Sequence, residues 1–128
     1  MRNTVVLHYA DRKIRKGTTD DFFPNKNAFH LTEQGSGETH EVSIYDLKAV
    51  YFVKSFEGNA DYQERTDTEL VGFGKKIKVT FKDGETQIGY TQGFSPGRGG
   101  FFVFPADPGS NNDRVYVVTA ATEKVDFI

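Results

Sequence analysis

Cysteine and tryptophan are absent from this chain of 128 residues, methionine occurs once and proline four times. Without a thiol it can hold no disulfide framework, no thiolate zinc site and no cysteine nucleophile. Long apolar runs are missing too. The opening MRNTVVLHYADRK is cut by His8, Asp11 and Arg12, so it reads as neither a signal peptide nor an anchor. No window approaches the roughly 20 apolar residues that cross a bilayer as a helix. Nor is there an excess of one charge. The net charge is −2, with acids and bases interspersed, which gives no global field to draw the protein onto a polyanion. These absences point to a cytoplasmic protein with no membrane association, whose nucleic-acid contacts, if made, are local. A chain of this length fits one ordinary domain or two very small fused ones, and it buries enough surface to need no metal or cofactor for folding.

What is present is 12 Phe, 6 Tyr and 13 Gly, a composition suited to strands and tight turns. An internal similarity organises it. Shifted by 72 positions, residues 5–31, VVLHYADRKIRKGTTDDFFPNKNAFHL, lie over residues 77–103, IKVTFKDGETQIGYTQGFSPGRGGFFV. Asp11, Gly17, Thr19, Phe22, Pro24 and Phe29 coincide with Asp83, Gly89, Thr91, Phe94, Pro96 and Phe101. Val5, Leu7 and Tyr9 alternate like Ile77, Val79 and Phe81, the period of a half-buried strand, which places Val6 and His8 outward. Asp83-Gly84 is a hairpin signal, and Gly17 and Gly89 sit inside strands, where glycine marks a bend or a close backbone approach. Later, with an offset of 75, Val50-Tyr51-Phe52-Val53 lies over Val125-Asp126-Phe127-Ile128, and YDLK and AATE each interrupt the pattern for one helical turn.

The expected fold is therefore all-β: two tandem five-stranded small barrels of SH3-like or OB-like size, related by the repeat and packed together. They would span residues 1–54 and 76–128, joined by a polar linker at 55–75. Either a pseudo-twofold packing or edge-to-edge pairing would unite them.

GFSPGRGGFFVFP, residues 93–105, resembles a phosphate loop. Its counterpart DDFFPNKNAF has none of the glycines, however, and the text after it is strand-like, without the helix N-terminus or the Lys-Ser/Thr that such a loop requires. The shared element is a turn between strands. His8, His30 and His40 have no metal-ligand spacing, and the neighbouring Asp20 and Asp21 would face opposite ways. No nucleophile, base and orienting acid stand in a recognisable frame, so no catalysis is expected. The basic cluster RKIRK supplies Arg12, Lys13, Arg15 and Lys16 as candidate phosphate contacts, with Lys13 and Arg15 on one face and Arg12, Ile14 and Lys16 on the other. The aromatic and proline-rich loops supply Phe23, Asn25, Lys26, Asn27, Arg98, Phe102, Phe104 and Arg114. Exposed, these phenylalanines would form an apolar patch with a cationic rim, a mark of a protein partner; buried, they would close the barrel ends.

The strand order and the spacing around Gly17 and Gly89 resemble the Sm-like small barrel. Gly17, Phe22 and Asn27 fall on that family's glycine, aromatic and asparagine positions, while Phe23 replaces its aspartate. The Arg-Gly that helps form the family's RNA pocket is replaced by LKAV and EKVD, so the resemblance implies topology and not the RNA site. KGTTDDFFPNKNAFHL, DLKAVYFVKSFEGN and GFFVFPADPGSNN resemble an uncharacterised bacterial family whose modules occur alone or attached to signalling domains such as PilZ. That resemblance implies no activity and no binding residues.

The expected function is a non-catalytic binding module for a partner protein in bacterial signalling or regulation. Single-stranded RNA or DNA is the alternative ligand, and free strand edges would allow self-association.

Overall fold

A computed structural model describes residues 2–56, 74–94, 97–107 and 109–128. Most of the expected linker, residues 57–73, lies outside the described residues, as do Ser95, Pro96 and Pro108 of the loops. The described residues form ten strands and two short 3-10 turns and contain no α-helix. The first five strands are β1 (Asn3–Tyr9), β2 (Ile14–Thr19), β3 (Ala28–Glu33), β4 (Thr39–Ser43) and β5 (Leu47–Val53). The other five are β6 (Lys75–Phe81), β7 (Thr86–Thr91), β8 (Gly100–Pro105), β9 (Asn112–Val118) and β10 (Thr122–Phe127). The 3-10 turns, η1 (Ile44–Asp46) and η2 (Thr119–Ala121), precede β5 and β10.

All ten strands belong to one antiparallel sheet in the order β10-β6-β7-β8-β9-β5-β1-β2-β3-β4. It does not close on itself, and β10 and β4 are its ends. The halves join edge to edge: Ala49, Val50, Tyr51 and Phe52 of β5 stand opposite Val117, Tyr116, Val115 and Arg114 of β9.

Burial explains why this junction forms. Every residue of β5, LKAVYFV, is buried, the mark of a strand covered on both faces. Leu47, Val50 and Phe52 enter one core with Val5, Leu7, Phe29 and Leu31. Ala49, Tyr51 and Val53 enter a second core with Ile77, Val79, Phe81 and Val103. β9 is divided likewise, Tyr116 and Val118 to the first core, Val115 and Val117 to the second. The outward face expected for β1 is corrected by the same division. Val6 belongs to the second core, and the His8 ring, half-buried, lies 4.4 Å from that of Tyr51. Burial holds the His8 pKa below its ordinary value. A period of two identifies one buried face and is silent on whether the other meets solvent or a second core.

The two leading hairpins use the same turn. Asp83 Oδ1 accepts from Glu85 N at 3.0 Å, and Gly84 N donates to Phe81 O at 2.9 Å. Asp11 Oδ1 accepts from Lys13 N at 3.0 Å, and Arg12 N donates to Tyr9 O at 3.0 Å. The turn needs a left-handed residue, supplied by Gly84 at φ 92° but by Arg12 at φ 76°. A side chain there costs about 1 kcal/mol, part of which glycine returns through its freer unfolded chain. Arg12→Gly is expected to raise stability by about 0.5 kcal/mol, read as a higher urea midpoint at unchanged slope; a lower midpoint would mean that the arginine makes a compensating contact.

Candidate functional site

The β2–β3 connection, Asp20 to Asn27, is pinned at both ends. At its start Asp21 Oδ1 accepts from His30 N at 2.8 Å and from Thr19 Oγ1 at 3.1 Å, while Oδ2 meets His30 Nδ1 at 2.7 Å. Burial alone would raise the Asp21 carboxyl, but these donors hold it below the ordinary carboxylate range, and the same ring contact raises His30. Asp20 makes none of these hydrogen bonds and acts on His30 only through its charge.

Phe22 then drops into the first core, edge-on to Phe29 and Tyr116 at 5.1 Å and to Phe52 at 5.4 Å. At the far end Ile44 N donates to Asn27 O at 2.9 Å, and Tyr45 Oη donates to Asn27 Oδ1 at 3.3 Å. The loop is thereby fastened to η1. From the other half, Tyr116 Oη reaches Pro24 O at 3.5 Å.

Between these supports lies a cleft of about 320 Å³, lined by Pro24 to Asn27, Ile44, Tyr45, Arg98 to Gly100 and Tyr116. An adjoining hollow of about 190 Å³ shares Pro24, Arg98, Gly100 and Tyr116 and adds Phe101, Phe102 and Phe104. Gly100 is needed for this shape, because a Cβ there would overlap the Tyr116 ring. Asn25, Lys26, Asn27, Arg98, Phe102 and Phe104, singled out from loops some 70 residues apart, thus meet where the halves join. The cleft carries two cations, two side-chain amides and two phenols, and among the described residues no carboxylate lines it. Burial raises the Tyr116 pKa, with Arg98 acting in the opposite sense, so its hydroxyl stays protonated at neutral pH and able to donate.

The other expected residues sit elsewhere. Phe23 is exposed beside the cleft, with Lys26 Nζ 4.9 Å from its ring centre. Phe102 and Phe104 are half-buried, and Phe102 packs on the first core. The loop phenylalanines therefore leave one exposed ring and not a broad patch. Arg114 lies over the rings of Phe52 and Phe102, at 4.4 and 4.8 Å, outside both hollows.

The basic cluster is divided by its strand. Lys13 and Arg15 border a different depression with Asp11, Glu41 and Asp46, where Lys13 reaches Asp11 at 3.8 Å. Lys16, on the other side, donates to Phe56 O at 3.0 Å. Arg12 occupies the exposed turn. The four do not converge on one anion.

Tyr45 and Tyr116 were not singled out from sequence. An aromatic residue in the polar turn of IYDLK was the available signal for Tyr45; Tyr116 reads as one more strand residue. Among the described residues no group of three or more His, Asp or Glu could hold a metal ion, and no helix is long and apolar enough to cross a membrane.

Neither a curated protein nor a solved structure matches the chain at significance. A family model does match, over residues 1–128, and the chain accordingly belongs to a family of unknown function, DUF6982.

Proposed function

We propose that this chain is a non-catalytic binding module whose junction cleft receives an acidic segment of a partner protein. The observation that carries the reading is the lining itself: Lys26 and Arg98 face one cleft with Asn25, Asn27, Tyr45 and Tyr116, and no carboxylate among the described residues opposes them. Such a site offers charge and hydrogen-bond donors to a carboxylate, in a volume at the small end for ligand pockets. Phe23, exposed at its side, adds an apolar anchor of the kind that interfaces use.

Single-stranded nucleic acid, the second reading, would use the same cations and needs free aromatic faces for stacking. Few such faces are free: Phe102 lies beneath Arg114 and packs on the first core, and Lys26 covers one face of Phe23, which leaves Tyr45, 62% exposed, as the open ring. The finer reading of each half as an Sm-like or SH3-like small barrel is supported by the common strand order, β5-β1-β2-β3-β4 and β10-β6-β7-β8-β9. The setting in cytoplasmic bacterial signalling or regulation rests on the motif resemblance.

The test is fluorescence anisotropy with a labelled Asp/Glu-rich peptide and a labelled oligo(U), using wild type and the Lys26→Glu/Arg98→Glu double variant. Peptide binding weakened about tenfold or more by the double reversal is the expected result. Equal peptide binding by the variant would overturn the proposal. Binding confined to oligo(U), with a steep salt dependence, would replace it with the nucleic-acid reading.

A further inference from the structure

The central junction of the sheet has two sides, and each exists a second time. In the first half β5 pairs with β1 through Phe52↔Val5, Val50↔Leu7 and Leu47↔Tyr9, with a register shift before the last pair. In the second half β10 pairs with β6 through Phe127↔Ile77, Val125↔Val79 and Thr122↔Phe81, with a shift at the same place. On the opposite flank β4 meets β3 through Ser43↔Ala28 and His40↔Leu31. β9 meets β8 through Val118↔Gly100 and Val115↔Val103. β10 is therefore placed in its half as β5 is in the other, and β4 as β9. Inside the chain β5 and β9 are joined, whereas β10 and β4 end the sheet.

Exposure differs accordingly. Phe52 and Val53 are 4% and 8% exposed at the junction, while Phe127 and Ile128, their counterparts 75 residues on, are 57% and 60% exposed. The two ends also differ in charge. Glu33, Glu38 and Glu41 belong to the β3–β4 hairpin, which has no lysine or arginine. Lys75, Lys76 and Lys78 of β6 and Lys124 of β10 border the other end, with Glu123 and Asp126.

We infer that the chain binds a second copy of itself head to tail, β4 of one copy adding to β10 of the next in the register of the internal junction. That register sets Thr39, His40, Glu41 and Val42 opposite Phe127, Asp126, Val125 and Lys124. The contact is heterologous, so it propagates until a ring closes or continues as a fibre. It covers the exposed Phe127, pairs the outer edges of β4 and β10, which have no strand partner among the described residues, sets His40 against Asp126 and brings the acidic hairpin to the lysine-bearing end of the sheet. The inference is independent of the cleft, whose lining residues lie away from both edges apart from Tyr45 and Ile44 of η1, just beyond β4.

The absence of cysteine allows a direct test. Opposed positions in antiparallel strands come within reach of a disulfide, and His40→Cys/Asp126→Cys places one cysteine on each end of the sheet. Oxidation at ~10 and ~500 µM protein is expected to give a ladder of covalent multimers on non-reducing gels. The fraction crosslinked should be about tenfold above that of His40→Cys/Val125→Cys, which is out of register by one residue. Light scattering on the cysteine-free wild type should show masses above the 14.4 kDa chain, growing with concentration and falling in the Phe127→Lys variant. Monomer mass throughout with no ladder would overturn the inference. So would crosslinking of the single His40→Cys variant into dimers alone, which is symmetric pairing of like edges.

Discussion

Gly17→Ala and Gly89→Ala are each expected to destabilise the protein by about 3 kcal/mol, the upper end for overpacking a filled site. In a fold of this size that corresponds to a fall in Tm of roughly 10 °C. The reason is steric and local. A Cβ at Gly17 would overlap the carbonyl oxygen of Thr32, and one at Gly89 that of Phe104. β2 pairs with β1 along its length but with β3 only at Gly17 and Thr18. β7 does the same, joining β6 along its length and β8 only at Gly89 and Tyr90. At these two points each half of the sheet turns sharply enough to enclose its core, and the backbones come closer than any side chain allows. Gly93→Ala supplies the control, since a Cβ there meets nothing; it should leave Tm within about 2 °C. Equal effects at positions 17 and 93 would contradict the close approach.

The second large effect concerns Lys48, a buried lysine on β5. Its Nζ meets Asp83 Oδ2 and Glu85 Oε1, each at 2.8 Å, and lies 4.6 Å from the centre of the Phe81 ring. It ties the first half to the β6–β7 turn of the second. The partners are unequally exposed, and that sets the expected asymmetry. Lys48→Met leaves two carboxylates that reach water, at a cost of about 1 kcal/mol. Asp83→Asn with Glu85→Gln leaves a buried ammonium without a counter-charge, at about 3 kcal/mol. Comparable losses in the two variants, read from urea midpoints, would contradict the burial of the lysine.

The same pairing fixes a pH dependence. Hydrogen bonding to Lys48, foremost, holds the Asp83 carboxyl below its ordinary 3.8. The unfolded chain therefore takes up this proton first as pH falls. The stabilisation is complete above the ordinary carboxylate pKa and is lost as pH drops through the lowered folded value. For Lys48, burial opposes the charge but the two carboxylates outweigh it and raise its pKa above 10.5, so its contribution persists until pH rises through that raised value. Stability of the Lys48→Met variant should fall less steeply with acid than that of wild type.

Much of the fold was legible in the chain because its signals are local. Val5 with Leu7, Ile77 with Val79 and Phe81, the Asp83-Gly84 turn and the glycines inside strands each report a conformation within a few residues. Edge-to-edge union of the halves was one of two arrangements the repeat allowed, and no local signal chose it over pseudo-twofold packing. LKAVYFV has no alternation because both its faces are covered, and a run without alternation does not say by what. Val6 was misplaced for the same reason: the second core exists only once β5 has met β9. The cleft followed suit. Asn25, Lys26 and Asn27 on one loop and Arg98 on another stood out for their types, but their meeting depends on a strand pairing between residues about 65 apart in sequence. Tyr45 and Tyr116, which complete the lining, carry no signal of that meeting.

Occupation of the junction cleft by an acidic partner segment is read by following backbone amide resonances of the ¹⁵N-labelled protein during titration with the Asp/Glu-rich peptide. The expected result is saturable shifts concentrated at Asn25 to Asn27, Tyr45, Arg98 to Gly100 and Tyr116, abolished in the Lys26→Glu/Arg98→Glu variant. Shifts centred on Lys13 to Lys16, or none up to millimolar peptide, would contradict it.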